Sequence, residues 1–295
     1  MLDAWGDHPA VIQTMTEASD ALGIDVGRLV REGPKEQLDL TTNTQPVMLT
    51  AGIACYRAWI AEAGRVPDAL AGHSLGEYSA LVAAGALTLT DALPLVRFRA
   101  QAMQEAVPVG VGAMAAILGL DAELVRVTCA EVSAAVGEPV EAANYNDPKQ
   151  TVIAGTKGAV DQACEALKGR GAKRALPLAV SAPFHSSLMK PAAERLKERL
   201  LSVTLRAPSI PLVNNIDVAV QTEPDAIREA LYRQAFGPVR WVEVVQAIRA
   251  RGATHLFECG PGKVLAGLAK RIDASLVVGN VLDPATLAEA KGMLQ

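Results

Sequence analysis

The chain is poor in aromatic residues, which make up 4% of its 295 positions. Its core must therefore be built mainly from Ala, Val, Leu and Ile, and the 50% hydrophobic content can supply one. It has no run of eighteen consecutive apolar residues, so no membrane-spanning helix is expected. It has no excess of positive charge. Twenty-eight Lys and Arg against 32 Asp and Glu leave a net charge of −4, which speaks against nucleic acid as the main partner. The four cysteines (Cys55, Cys129, Cys164 and Cys259) lie far apart and form no C-x-x-C, so reduced thiols in a cytoplasmic protein are expected. No histidine pair or Cys/His cluster has metal-ligand spacing, so no metal is expected. The N-terminus has neither the basic start nor the apolar stretch of a signal peptide. No internal repeat or low-complexity tract is present.

What is present centres on Gly72-His73-Ser74-Leu75-Gly76. A short apolar run, Asp68–Ala71, precedes it, and Glu77–Ala84 follows, rich in small and apolar residues. This reads as strand, tight turn and helix, the setting in which G-x-S-x-G is a nucleophile elbow. Glycines without Cβ let strand and helix approach closely. Ser74 is then presented at a helix N-terminus, where free N–H groups and the helix dipole favour an oxyanion. The N–H of Leu75 is the natural oxyanion donor.

Residues before 68 read as helices: one through Val11, Ile12, Met15, Ala18 and Leu22, one over Val26–Glu32, and one running to Ala63 with Pro46 in its first turn. The lack of a strand there is unusual for an α/β chain and suggests a missing upstream element. Asp91–Val107 reads as a helix with Pro94 near its start. From 108 to 183 the order is strand (Ala113–Leu118), helix (Ala122–Ala135), two strands (Val140–Tyr145, Thr151–Ala154), helix (Gly158–Lys168) and strand (Lys173–Val180). This β-α-β-β-α-β order predicts an inserted ferredoxin-like small subdomain. Residues 1–107 and 184–295 form the larger unit, an α/β domain with a parallel, hydrolase-like sheet. Its later strands are expected at Ile210–Asn214, Thr254–Glu258 and Leu276–Gly279. Helices are expected at Pro191–Leu201, Ile227–Gln234, Val242–Ala250 and after Gly260-Pro261-Gly262-Lys263. That glycine-containing turn lacks P-loop spacing and reads as a strand-to-helix connection.

A serine nucleophile needs a base. Of the four histidines, His73 is adjacent to Ser74 on a turn where neighbouring side chains diverge, and His8 lies in a polar N-terminal stretch. His255 sits in an apolar strand, where a structural role is the simpler reading. His185 lies in the loop Ser181–Ser187, and loops on a rigid scaffold often carry function. The residues alone leave His185, His255 and no catalytic histidine all open. Arg97 and Arg99, on the helix after the elbow helix, are either solvated cations or include one that grips a carboxylate. Lys168, Arg170, Lys173, Arg174, Lys190 and Arg195 are either contacts for an acidic partner or a solvated face.

The stretch Gly72–Leu81 resembles the active-site segment of malonyl-CoA:acyl carrier protein transacylases. Further resembling segments are Thr44-Gln45-Pro46, Met103–Val107, Gly112–Ile117, Asn144-Tyr145-Asn146, Pro183–Ser186, Val213-Asn214-Asn215 and Gly260–Leu265, so the resemblance spans essentially the whole chain. It implies malonyl transfer from malonyl-CoA to the phosphopantetheine thiol of acyl carrier protein, by ping-pong chemistry through a malonyl-Ser74 ester, in fatty acid synthesis. It implies His185 as base and later acid, and Arg99 as the partner of the malonyl carboxylate. Gln45 would line the pocket, and the Gln234 main-chain carbonyl would orient His185. Phe184 would restrict the acyl group, although one methyl is worth only about 1–3 kcal/mol. No cofactor, no nucleic-acid or membrane partner and a monomer are expected. The resemblance also implies an upstream strand with the motif F-P-G-Q-G-x-Q, whose Gln would give a second oxyanion N–H, so a wrongly chosen start at Met1 is expected.

Two other readings remain at this level. One is a serine thioesterase or hydrolase with a triad such as Ser74, Asp217 and His255. The β-α-β-β-α-β insert and the absence of an HGGG-type motif speak against it. The other is a truncated, inactive chain that only binds acyl carrier protein.

Overall fold

The computed structural model describes residues 1–180 and 182–295; Ser181, the first residue of the loop expected to carry His185, lies outside them. The N-terminal third is helical: α1 (Pro9–Leu22), α2 (Val26–Glu32), α3 (Lys35–Asp39) and α4 (Thr41–Ala63). Helix α5 (Leu75–Ala83) leaves the elbow, and α6 (Leu89–Glu105) follows. Helix α4 starts earlier than Pro46 and carries that proline inside it. A proline six residues into a helix removes one N–H bond near the frayed end, and α4 is then buried along most of its length, which holds it together. Likewise α6 begins at Leu89, capped by the Thr88 hydroxyl on the Asp91 N–H at 3.1 Å, and holds Pro94 within it.

Strand β1 (Gly112–Leu118), α7 (Ala122–Val136), β2 (Val140–Asp147), β3 (Gln150–Thr156), α8 (Lys157–Gly169) and β4 (Arg174–Pro177) follow. Their strands form one antiparallel sheet in the order β2-β3-β1-β4. Met114 faces Ala154 and Ala142 faces Ile153 across it. Ala115, Ile117 and Ile153 join Val125 and Cys129 of α7 and Val160 and Leu167 of α8 in one buried cluster. Strand β2 is tied to the rest of the chain by two main-chain bonds of 2.9 Å, Tyr145 N to Val239 O and Val239 N to Ala143 O. A bond of 2.7 Å from Arg271 to Asp147 adds a side-chain tie.

The chain continues through α9 (Lys190–Leu201), α10 (Pro224–Phe236), α11 (Trp241–Ala250), β5 (His255–Cys259), α12 (Val264–Ile272), β6 (Val277–Val281) and α13 (Pro284–Gly292). Leu49, Tyr78, Leu93, Met103, Leu196 and Leu231 belong to the largest core cluster, which joins α1, α4, α5, α6, α9 and α10. Small and aliphatic side chains dominate it, as the aromatic-poor composition requires. Strands β5 and β6 pair in parallel, with His255 opposite Val277.

The expected strands at 68–71 and 210–214 are only an isolated parallel bridge between Leu70 and Leu212, with Val213 bridged to Val220. Each has too few partners to form a run. A cleft of about 850 Å³ separates Leu70 from β5, lined by Leu70, Gly72, Leu75, Gly76, Phe257 and Gly260. Helices α3 and α13 were not expected; α13 is announced by Asp283 as cap, Pro284 in its first turn and a capping box with Thr286. Among the described residues, no helix is long and apolar enough to cross a membrane.

Candidate active site

Ser74 caps α5 with φ 52° and ψ −105°, a left-handed conformation unusual for a residue with a Cβ. Such strain costs of order 1–3 kcal/mol and persists only where the surroundings fix it. Two features fix it here. A Cβ on Gly72 would lie 1.9 Å from the Gly76 carbonyl carbon and oxygen, so only glycine lets the incoming segment meet the helix. At Gly76 itself a Cβ would meet nothing within 4 Å, so the close approach is required of Gly72 and not of both glycines. The Asn215 side chain then staples the turn: its Oδ1 accepts from Ser74 N at 2.7 Å and its Nδ2 donates to Gly72 O at 2.8 Å.

His185 also has a positive φ, 59°, in the segment before α9. Its Nε2 lies 2.7 Å from Ser74 Oγ. Its Nδ1 faces two carbonyl oxygens, of Gln234 at 2.9 Å and Gly237 at 3.2 Å. Two acceptors at Nδ1 keep the proton there and leave Nε2 unprotonated, facing the serine hydroxyl. Burial, then the charge of Arg99 and the proximity of His73, lower the pKa of His185 to about 3, so the ring is neutral at physiological pH.

Arg99 is 2% exposed, so it is not a solvated cation. Its Nη1 donates to Gln45 Oε1 at 2.8 Å, and its Nη2 donates to Ser74 Oγ at 3.1 Å and Gln234 Oε1 at 3.2 Å. Burial lowers its pKa, while Tyr78 and Glu77 raise it; a guanidinium stays protonated regardless. Arg97 instead reaches the Leu22 carbonyl, at 3.2 Å. Leu75 is the first residue of α5, with its N–H at the helix's positive end. Phe184 adjoins His185 in sequence and packs against Met114, Ala116 and Ala143 of the antiparallel sheet.

The structure therefore brings buried His185, Arg99, Gln45 and Gln234 into one hydrogen-bonded network with half-buried Ser74. It does not assemble Ser74, Asp217 and His255. Asp217 holds Arg233 through two bonds of 2.6 and 2.7 Å, and His255 faces Thr254 at 2.9 Å and the Met293 carbonyl at 3.0 Å. His73 turns away from Ser74 to Asn146, at 2.8 Å. Two members of the site escaped the sequence reading as individuals, Asn215 and Glu77. Both lay inside resembling segments, but nothing local in either segment signals a buried staple. Among the described residues, no group of three or more His, Cys, Asp and Glu could hold a metal ion. The large cleft touches the elbow at Gly72, His73, Leu75 and Gly76, yet its walls do not include Ser74, His185, Arg99 or Gln45.

Chemically, the arrangement can activate a serine with a neutral imidazole while a fixed positive charge stands beside the same oxygen. On a tight turn that opens helix α5 in a mixed α/β fold, that defines a serine-type acyl-transferring site. The chain belongs to the acyl transferase domain family, which matches residues 8–271. It is 50% identical over 290 residues to the malonyl CoA-acyl carrier protein transacylase of Escherichia coli (strain K12), covering 98% of this chain and 93% of that one. Among solved structures it is similar to an acyl-carrier-protein S-malonyltransferase from Burkholderia pseudomallei. The TM-score is 0.97 and the identity 64%, over 99% of this chain and 94% of the other. A malonyl transacylase solved in complex with its type II PKS acyl carrier protein superposes with a TM-score of 0.94 at 49% identity, over 97% and 92% of the two chains.

Proposed function

We propose that this chain transfers the malonyl group from malonyl-CoA to the phosphopantetheine thiol of acyl carrier protein, through a malonyl ester on Ser74. The observation that carries the reading is the placement of one oxygen, Ser74 Oγ, 2.7 Å from a neutral imidazole and 3.1 Å from a buried guanidinium. A hydrolase of neutral esters has no use for that second group; an acyl group bearing a carboxylate does.

In the first half-reaction Ser74 Oγ attacks the thioester carbonyl and its proton passes to His185 Nε2. The Leu75 N–H, at the start of α5, faces the developing oxyanion. The C–S bond breaks, and the CoA sulfur takes the proton from the imidazolium. In the second half-reaction the carrier thiol gives its proton to His185, attacks the ester and releases Ser74 Oγ, which recovers the proton. Gln234 and Gly237 stabilise the transient imidazolium through their carbonyls. Arg99 pairs with the malonyl carboxylate, Gln45 holds Arg99, and Phe184 limits branching next to the carboxylate. The reaction as written draws on no cofactor.

The same reading treats residues 108–183 as a ferredoxin-like small subdomain set into a large unit of residues 1–107 and 184–295. The strand order β2-β3-β1-β4 and the separate core under that sheet support it. The enzyme would work in the cytoplasm as a monomer in fatty acid synthesis; four free cysteines suit a reducing compartment. Of the six surface cations named above, Lys168 pairs with Glu165, Arg170 with Glu131 and Arg195 with Glu105. That leaves Lys173, Arg174 and Lys190 as the better candidates for the carrier protein.

The test is Arg99→Ala, assayed with malonyl-CoA and with acetyl-CoA, which lacks the carboxylate. The malonyl-to-acetyl ratio of kcat/KM is expected to fall by at least ~10², the loss of one charge-assisted contact in a dry site. An unchanged ratio would remove Arg99 from carboxylate recognition.

A further inference from the structure

Glu77 is 2% exposed, and a carboxylate that deep must be met by donors. Two reach its Oε2, both at 2.9 Å: the Asn215 main-chain N–H and Gln234 Nε2. The Gln234 side chain, fully buried, is in turn held at both ends. Its Nε2 also donates to Ser74 O at 3.1 Å, while its Oε1 accepts from Arg99 Nη2 at 3.2 Å. A side-chain amide has a donor end and an acceptor end of nearly equal shape. Turned over, it would set its NH₂ against the guanidinium, donor against donor. A carboxylate, which can only accept, holds the NH₂ on its own side and so commits the amide oxygen to Arg99.

We propose that Glu77 is a positioning residue for acyl-group selectivity, fixing the Gln234 amide so that the Arg99 guanidinium stays in register with Ser74. This rests on the reading of Arg99 given above. The relay runs from the Glu77 carboxylate to the Gln234 amide, then to Arg99 Nη2, then to Ser74 Oγ. Gln234 thereby has two separate tasks. Its main-chain oxygen faces His185, and its side chain faces the cation. Burial pushes the Glu77 carboxyl up to about 7, against the pull of its two donors and Arg99. Both donors reach the same oxygen, Oε2, so that oxygen remains an acceptor for the Gln234 NH₂ even when a proton sits on Oε1.

The experiment measures kcat and KM with malonyl-CoA and with acetyl-CoA as donors and acyl carrier protein as acceptor. It uses the full chain and its Glu77→Gln, Gln234→Met and Arg99→Ala variants. Glu77→Gln keeps the shape but lets the Gln234 amide turn. Gln234→Met removes the amide and keeps the main-chain carbonyl that faces His185. In both, the malonyl-to-acetyl ratio of kcat/KM should fall roughly tenfold or more, mainly through a higher KM for malonyl-CoA. A purely structural role would lower kcat for both donors in the same proportion, and a ratio within about twofold of the parent in both variants overturns the proposal. If Glu77→Gln fails to fold by circular dichroism, Gln234→Met decides alone. An unchanged ratio in Arg99→Ala would instead sink the reading of Arg99, and this inference with it. A changed ratio in Arg99→Ala alone would sink only the role of Glu77.

Discussion

Replacing Asn215 with Ala should damage the elbow from behind. Asn215 is fully buried, and its side chain bonds the main chain of Ser74 and Gly72 rather than the Ser74 hydroxyl. The change removes the acceptor of the Ser74 N–H and the donor to the Gly72 carbonyl, at 2.7 and 2.8 Å. Each group then stays buried without its partner, at about 1–3 kcal/mol apiece, so the stability loss is roughly 2–6 kcal/mol. At about 2–4 °C per kcal/mol for a chain of this size, Tm should fall by roughly 5–20 °C. The effect on rate has a separate origin. The bonds hold Ser74 at φ 52°, and a relaxed backbone would draw Oγ away from His185. A displacement of about 1 Å costs on the order of 10² in rate. Calorimetry gives the first quantity, and burst-phase acylation by malonyl-CoA, below Tm, gives the second. A variant with Tm within about 1 °C of the parent and an unchanged burst would refute the reasoning, because two buried groups cannot lose their partners without cost.

Two further outcomes follow from the same geometry. Because His185 is held neutral down to about pH 3, kcat/KM for acetyl-CoA, which has no carboxylate for Arg99 and so is not affected by Glu77 titrating near 7, should stay level from pH 8 to pH 5; an ordinary histidine of pKa ~6.5 would lower it about thirtyfold by pH 5. The sign for stability is the reverse of a benefit. Below pH ~6.5 the unfolded chain protonates this residue and the folded one does not, so its contribution to stability falls by about 1.4 kcal/mol per pH unit as the solution is acidified. A rate profile with a midpoint near 6.5 would contradict the neutral-histidine account. Gly72→Ala should abolish folding or activity, since its Cβ would sit 1.9 Å from the Gly76 backbone, whereas Gly76→Ala has open space and should retain most activity. Equal damage from the two, by expression yield and acylation rate, would show that the elbow is held in another way.

The parts of this molecule that were legible in its sequence are those that depend on neighbours along the chain. The elbow is one, because a glycine contact four residues away and a helix start are local events. The alternation of strands and helices between Gly112 and Pro177 is another. Helix α13 carries local start signals too, in the cap Asp283 and in Pro284. The parts that were not legible depend on distant segments. The apolar runs at 68–71 and 210–214 look like strands, but whether they form a run depends on what pairs with both of their edges, and here each meets the other only at a single bridge. Pro46 reads as a helix start, yet burial of the helix beyond it extends α4 to Thr41. Arg99 could not be told from Arg97 by spacing, because burial separates them and burial is a property of the packed whole. Asn215 and Glu77 carry no local sign at all. Their roles exist only once α5, α10 and the segment after Leu212 converge.

The central claim, a malonyl ester on Ser74, is tested most directly by the intact mass of the 295-residue chain after brief incubation with malonyl-CoA, beside its Ser74→Ala variant, followed by addition of phosphopantetheinylated acyl carrier protein. The account predicts one malonyl group on the parent, none on the variant, and its complete transfer to the carrier. An adduct that persists in Ser74→Ala, or no adduct on a parent chain that is folded by circular dichroism, would contradict it.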